Sequence, residues 1–207
     1  LRNCKEKGTN ANVVEGENHI LYTVKEPKYI IKIPLIKKAS LYLSTFDEKK
    51  IKISNLLREL EDMRPEDEIR LILDSPGGLV NEGRSILNTI KRTGARITTE
   101  LVSRSYSMAA IIFCIGEKRV IYENSSIMFH TFSAGYSGKG GEIESYSKHI
   151  NTNLDAFFRS CIIGFSEEEL VELTSGKDFW FDSKEMCKRG IATHVSIQGY
   201  EIPVHLY

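Results

Sequence analysis

Ile69-Arg70-Leu71-Ile72-Leu73-Asp74-Ser75-Pro76-Gly77-Gly78 decides the fold. Its apolar half reads as a buried strand, and its second half is a turn made of strong helix and strand breakers. Upstream, Ile51, Leu56, Leu57 and Leu60 share one helical face, and Arg64-Pro65 ends that helix. Downstream, Ile86, Leu87 and Ile90 mark a second helix with Gly94 past its end. The next strand is Arg96–Val102, followed by an apolar helix over Ser107–Ile115 and a strand over Arg119–Tyr122. Glu123-Asn124-Ser125 turns into a further strand over Ser126–Phe132. Strands and helices thus alternate through residues 50–135, the pattern of βαβ units and a largely parallel sheet.

Beyond this centre the patterns change. Leu1–Asn18 is polar, lacks the apolar run of a secretory signal, and is expected to be a flexible leader. His19–Val24, Tyr29–Ile36 and Ser40–Thr45 read as short strands, with Pro27 and Pro34 making the first two edge-like or irregular. After a segment rich in glycine (Gly135, Gly138, Gly140, Gly141), Ile143, Tyr146, Ile150, Leu154, Phe157 and Cys161 recur at three- and four-residue steps. They predict one apolar stripe on a helix of roughly 20 residues. Ser166 and Glu169 have capping-box spacing, Asp182 or Ser183 caps a last short helix closed by Gly190, and Ile191–Val195 and Tyr200–Leu206 read as strands.

The 207 residues fit one α/β domain. Basic and acidic residues number 28 each, so no basic nucleic-acid face or acidic tail is indicated. The longest apolar stretch, Met108–Ile115, is far below the ~20 residues of a membrane span. The four cysteines form no C-x-x-C pair and none has zinc-ligand spacing with histidine. Cys114 and Cys161 read as buried free thiols, and a reducing cytoplasm is the simplest setting.

Three features could carry chemistry. Ser107 stands where a strand gives way to an apolar helix, so its hydroxyl lies near unpaired N–H groups that favour developing negative charge. The plain alternative is that Ser107, or Ser105, is a helix cap. Gly77-Gly78 allows close approach of another backbone and can aim N–H groups at an oxyanion; an ordinary Pro-Gly turn explains it as well. His130 ends a hydrophobic strand, where a hydrogen-bonded structural histidine is equally at home. His149 falls on the polar side of the long helix, and His19, His194 and His205 lie in outlying strands.

Their order and spacing resemble the Clp protease proteolytic subunit family from about Ser40 to Val195. Ser75–Ile86 matches its Ser-Pro-Gly-Gly turn and following helix, Tyr106-Ser107-Met108-Ala109 its nucleophile motif, and Asn124–His130 its Asn-Ser-x-x-Met-x-His motif. Gly135-Tyr136-Ser137-Gly138 falls at its substrate strand, and the helix from Glu142 at its handle. Lys177–Glu185 falls at the segment that bears its acidic residue. The resemblance implies a ClpP/crotonase-like spiral of ββα units with a protruding handle helix. It divides the chain into a divergent, partly flexible N-terminal segment over 1–38 and a peptidase domain over 39–207.

It further implies a serine endopeptidase with Ser107 as nucleophile, His130 as general base and Asp178 as the orienting acid. Asp182 is the competing acid, although a cap role already accounts for it. Gly78 and Met108 would form the oxyanion hole, while Gly77, Gly135, Tyr136 and Gly138 would bind substrate as an added strand. No cofactor or metal is implied. The expected partners are polypeptide substrates and copies of the chain in heptameric, single or double rings, with an AAA+ unfoldase as a further partner and neither nucleic acid nor membrane. The chain departs from the family in Ser103, Arg104 and Tyr106 near the nucleophile, in Asp74, and in the lack of docking aromatics along Ile69–Leu73. A phage head-maturation protease that works without an unfoldase, in the host-cell cytoplasm, and a non-catalytic subunit of a mixed ring are the alternative readings. The crotonase enzymes and the Ser–Lys signal-peptide peptidases of the superfamily fit less well, lacking a Ser–His–Asp set in this order.

Overall fold

The computed structural model describes strands within residues 3–43 and the chain over 53–131 and 137–207, with side chains over 56–131 and 137–207. Two compact units result, Leu1–Lys37 and Lys38–Tyr207. The first is an antiparallel meander of β1 (Asn3–Glu6), β2 (Thr9–Gly16), β3 (His19–Thr23) and β4 (Ile30–Pro34), paired in that order. Residues 1, 2, 7, 8, 17 and 18 of the expected leader lie outside the described residues; β1 and β2 occupy the rest of it.

The second unit alternates strand and helix. It begins with β5 (Lys38–Leu43), α1 (Ile53–Glu61), β6 (Glu68–Ser75), α2 (Val80–Thr93) and β7 (Arg96–Tyr106). It continues with α3 (Met108–Cys114), β8 (Lys118–Tyr122), β9 (Ser126–Phe129), α4 (Gly140–Cys161) and α5 (Glu167–Thr174). β10 (Phe179–Asp182), α6 (Ser183–Lys188), β11 (His194–Ile197) and β12 (Tyr200–Pro203) complete it. β5, β6, β7, β8 and β11 are parallel neighbours in that order, and β12 closes the edge antiparallel to β11. The mixed α/β architecture with its curled sheet is that of the ClpP-like spiral.

β7 is the branch point. Thr98–Leu101 pairs with β8 along one edge, and from Arg104 onward the strand pairs with β9 instead. On its other edge Leu73 faces Leu101 and Ser75 faces Ser105, so β7 spends four residues where β6 spends two. The intervening residues Val102, Ser103 and Arg104, two more than the single Asp74 opposite them, are exposed. A bulge of this kind bends and twists a strand, which lets one strand serve two partners in succession. β9 then takes β10 as an antiparallel partner.

The core follows from periodicity. Ile69, Leu71 and Leu73 bury one face of β6, while Arg70 and Ile72 stay half-buried on the other. The strand therefore alternates between a fully buried and a half-buried face. Ile86, Leu87 and Ile90 seat α2, and Gly94 ends it in the left-handed region at φ 68°. Every residue of α3 is buried, which explains its unbroken apolar sequence. Cys114 and Cys161 are buried free thiols, as expected.

α4 departs from the expected full stripe. Leu154, Phe158 and Cys161 are buried, but Ile143 and Tyr146 are exposed and the helix is exposed from Gly141 to His149. Its 22 residues extend about 33 Å at 1.5 Å per residue. Only the C-terminal half has a seat in its own unit. The last hairpin turns at Gln198-Gly199, both with positive φ, as a two-residue turn requires. No helix among the described residues is long and apolar enough to cross a membrane.

Leu101 is fully buried at the last β7–β8 pair before the branch. Leu101→Ala is expected to cost about 2–5 kcal/mol by cavity formation, read as a lowered urea midpoint with the slope unchanged.

Candidate active site

Ser107 joins β7 to α3 with φ 56° and ψ −127°. A non-glycine residue there is strained by about 1–3 kcal/mol. Such strain is the mechanical basis of a nucleophile elbow, where a sharp strand-to-helix turn pushes one side chain outward. The turn brings the residues two places either side close together, and Ser105 and Ala109 are both small and fully buried. The Ser107 N–H donates to the Met128 carbonyl at 2.9 Å, extending the β7–β9 ladder through the turn.

Room for the turn comes from glycine. A Cβ on Gly77 would lie 2.6 Å from the Tyr106 carbonyl oxygen and 2.8 Å from the Ser107 Cβ. Gly77 also has φ 97°, which penalises any side chain. One on Gly83 would strike the Met108 side chain at 2.3 Å. The Ser75 hydroxyl accepts the Gly77 N–H at 3.1 Å and holds the loop. Beneath the turn, the buried Ser105 hydroxyl has no partner among the described residues.

The Ser107 hydroxyl makes no helix-cap bond. It lies 2.7 Å from Nε2 of His130, which follows the end of β9. Both residues are half-buried. A neutral imidazole with Nε2 unprotonated can accept the seryl proton from this position. Asp182, by contrast, caps α6 and accepts the Glu185 N–H at 2.8 Å. The capping box of Ser166 and Glu169 also forms.

Phe179 faces Phe129 at the last pair of the β9–β10 ladder, and Asp178 and His130 are the residues that adjoin that pair, just outside the two strands. Asp178 is exposed, and no hydrogen bond joins it to His130 among the described residues. The structure thus joins Ser107 and His130 directly and shows no bond between Asp178 and the imidazole among the described residues.

Gly78 is exposed beside this turn, and Met108 is the first residue of α3, where an N–H has no intrahelical carbonyl to bond. Gly138 is exposed ahead of α4; Gly135 and Tyr136 lie outside the described residues. A cleft of about 460 Å³ begins one residue past Gly78, between Leu79 and Val80 on one side and Tyr146, Ile150 and Leu154 of α4 on the other. Burial pushes the Cys114 thiol up to about 12, so it is no rival nucleophile.

The sequence did not disclose β10 as a strand. Its signal is the alternation in Phe179-Trp180-Phe181-Asp182, which the nearby cap masked. Phe179 and Phe181 face inward onto Phe165, with ring centroids 5.1 and 5.5 Å from it, and Phe129 packs on Phe165 at 5.1 Å. Tyr106 and Arg104, two of the departures from the family near the nucleophile, have local partners: Arg104 pairs with Asp74 at 3.3 Å, and the Tyr106 hydroxyl bonds that of Ser126 at 2.8 Å.

A parallel α/β fold with a strained seryl turn and an adjoining histidine defines a class of hydrolase-like sites. The Clp protease family model matches residues 26–198, and the chain belongs to that family as a divergent ClpP-like protein. It is 28% identical over 184 residues to the ATP-dependent Clp protease proteolytic subunit of Deinococcus radiodurans, covering 85% of this chain and 89% of that one. This membership supports a peptidase.

Gly77→Ala is expected to lower stability by about 1–3 kcal/mol through backbone strain and the clash at Ser107. Gly141→Ala, at an open helical position, should not lower it. Paired urea unfolding curves check both.

Proposed function

We propose that the chain is a serine endopeptidase in which Ser107, His130 and Asp178 act as nucleophile, general base and orienting acid. The observation that carries this is the 2.7 Å contact of His130 Nε2 with a Ser107 hydroxyl that makes no cap bond. His130 takes the seryl proton as Oγ attacks a peptide carbonyl, then gives it to the leaving amine. Water, activated by the same histidine, resolves the acyl-enzyme. Asp178 holds the Nδ1–H tautomer and stabilises the imidazolium. The N–H groups of Gly78 and Met108 receive the oxyanion, a donor pair in which each member is worth ~3 kcal/mol. The segment ahead of α4 with Gly135, Tyr136 and Gly138 takes substrate as an added strand, and Gly77 holds the opposite wall.

The family's ring assembly places such sites inside a chamber, and the exposed first half of α4 is the surface offered to a second copy. A soluble, cytoplasmic working place accords with this. For an unfoldase partner one observation points the other way. Arg70 of β6 donates to Glu100 at 2.6 Å and also pairs with Glu201. These ion pairs occupy the strand on which family members commonly carry docking aromatics. A peptidase acting on unfolded chains without an unfoldase, as in head maturation, is therefore the second reading.

A fluorophosphonate probe is expected to label the wild type and leave Ser107→Ala unlabelled, with His130→Ala slowed at least ~10³-fold. Equal labelling of wild type and Ser107→Ala would sink the catalytic reading. Mass measurement in solution should give a multiple of 23.5 kDa; a monodisperse monomer would sink the chamber. Casein cleavage at the same rate with and without an ATP-driven unfoldase would select the second reading.

A further inference from the structure

We propose that Tyr106 and Trp180 form an aromatic clamp that positions the acid strand β10 against the nucleophile strand β7, making both positioning residues for the Ser107–His130–Asp178 reaction. The proposal rests on the peptidase reading above. Tyr106 directly precedes Ser107, and Trp180 stands in β10 two residues after Asp178, which directly precedes that strand.

Register puts the two rings in one row. Tyr106 faces Met128 across β7–β9, and Met128 faces Trp180 across β9–β10. The rings nevertheless meet edge to face over the intervening strand, with centroids 5.1 Å apart and planes at 69°. That geometry is a favoured one for aromatic pairs. The Tyr106 hydroxyl is fixed in turn by Ser126, 2.8 Å away on β9. One side chain therefore touches both strands that carry His130 and Asp178.

Packing elsewhere makes the pair more than filler. Phe179 and Phe181 already anchor the inner face of β10 in the core. Trp180 is 58% exposed on the outer face, where its ring meets Tyr106 and not the core. His130 directly follows β9 and Asp178 directly precedes β10, beyond the last pair of Phe129 with Phe179. A small rotation of β10 about its buried phenylalanines would carry Asp178 away from the imidazole. The Tyr106 edge on Trp180 opposes that rotation. Such misplacements of reacting groups are costly in rate, so the clamp acts on turnover rather than on substrate binding.

The test uses the full chain, peptide turnover and fluorophosphonate labelling of Ser107. Trp180→Ala is expected to slow labelling and kcat about tenfold with KM within about twofold. Trp180→Phe, which keeps an edge-to-face partner, should restore both. In the Asp178→Asn background, Trp180→Ala should cost less than about twofold more, because the two act through one geometry. Full tenfold losses in both backgrounds, a change confined to KM, or unaltered labelling would each overturn the clamp. Loss of rate in Trp180→Phe equal to that in Trp180→Ala would overturn it too. If Asp178→Asn itself labels at the wild-type rate, the acid assignment fails and the clamp falls with it. If Asp178→Asn is impaired while both Trp180 variants are normal, the clamp alone falls. Tyr106→Phe keeps the ring, removes the Ser126 bond, and is expected to show a smaller loss than Trp180→Ala, with an unchanged unfolding midpoint separating positioning from misfolding.

Discussion

A strand has two edges, and β7 must satisfy three neighbours. It does so by dividing one edge in sequence, β8 along Thr98–Leu101 and β9 from Arg104. The surplus residues facing the Leu73–Ser75 step supply the bend between these partners. Without it β9 would have no edge to join and β10 no partner. The division also decides where the candidate site lies, since β7 ends at Ser107 just beyond the second pairing.

Strain at Ser107 is sustained by the same framework. Its positive φ is unfavourable by about 1–3 kcal/mol, and the surroundings over-determine the turn. The β9 carbonyl of Met128 takes the Ser107 N–H, Gly77 presses on Tyr106 and Ser107 from one side, and the fully buried α3 pulls from the other. Glycines at 77 and 83 are explained by contact distances here, not by flexibility. Structural rigidity and chemical reach thus have one origin: a serine freed from cap duty can face His130.

The outer surfaces obey different physics. Arg70, Glu100, Lys118 and Glu201 tie β6, β7, β8 and β12 together on the half-covered sheet face. With one partner in each contact substantially solvated, such pairs add specificity of pairing more than stability. Tyr122 donates to Glu100 within the same group. On α4 the apolar pattern outruns the seat available in its own unit, so Ile143 and Tyr146 remain exposed.

Hydrophobic period and breaker chemistry made the alternation of strand and helix over 50–135 legible, because each depends on residues close in sequence. The caps at Ser166 and Asp182 and the turn at Gln198-Gly199 were legible for the same reason. The family motifs, read as an ordered set, singled out Ser107, His130 and Asp178, and the structure joins the first two. Three things needed the tertiary structure. β10 is too short, and too close to a cap, to show as a strand alone. The half-seated handle depends on which neighbours exist in space, and periodicity cannot count them. The meeting of Tyr106 with Trp180, and of Ser107 with His130 rather than with its own helix, joins residues 74 and 23 positions apart. Such distances close only when β7, β9 and β10 pair, since side-chain contact across a sheet is set by register and not by the local sequence.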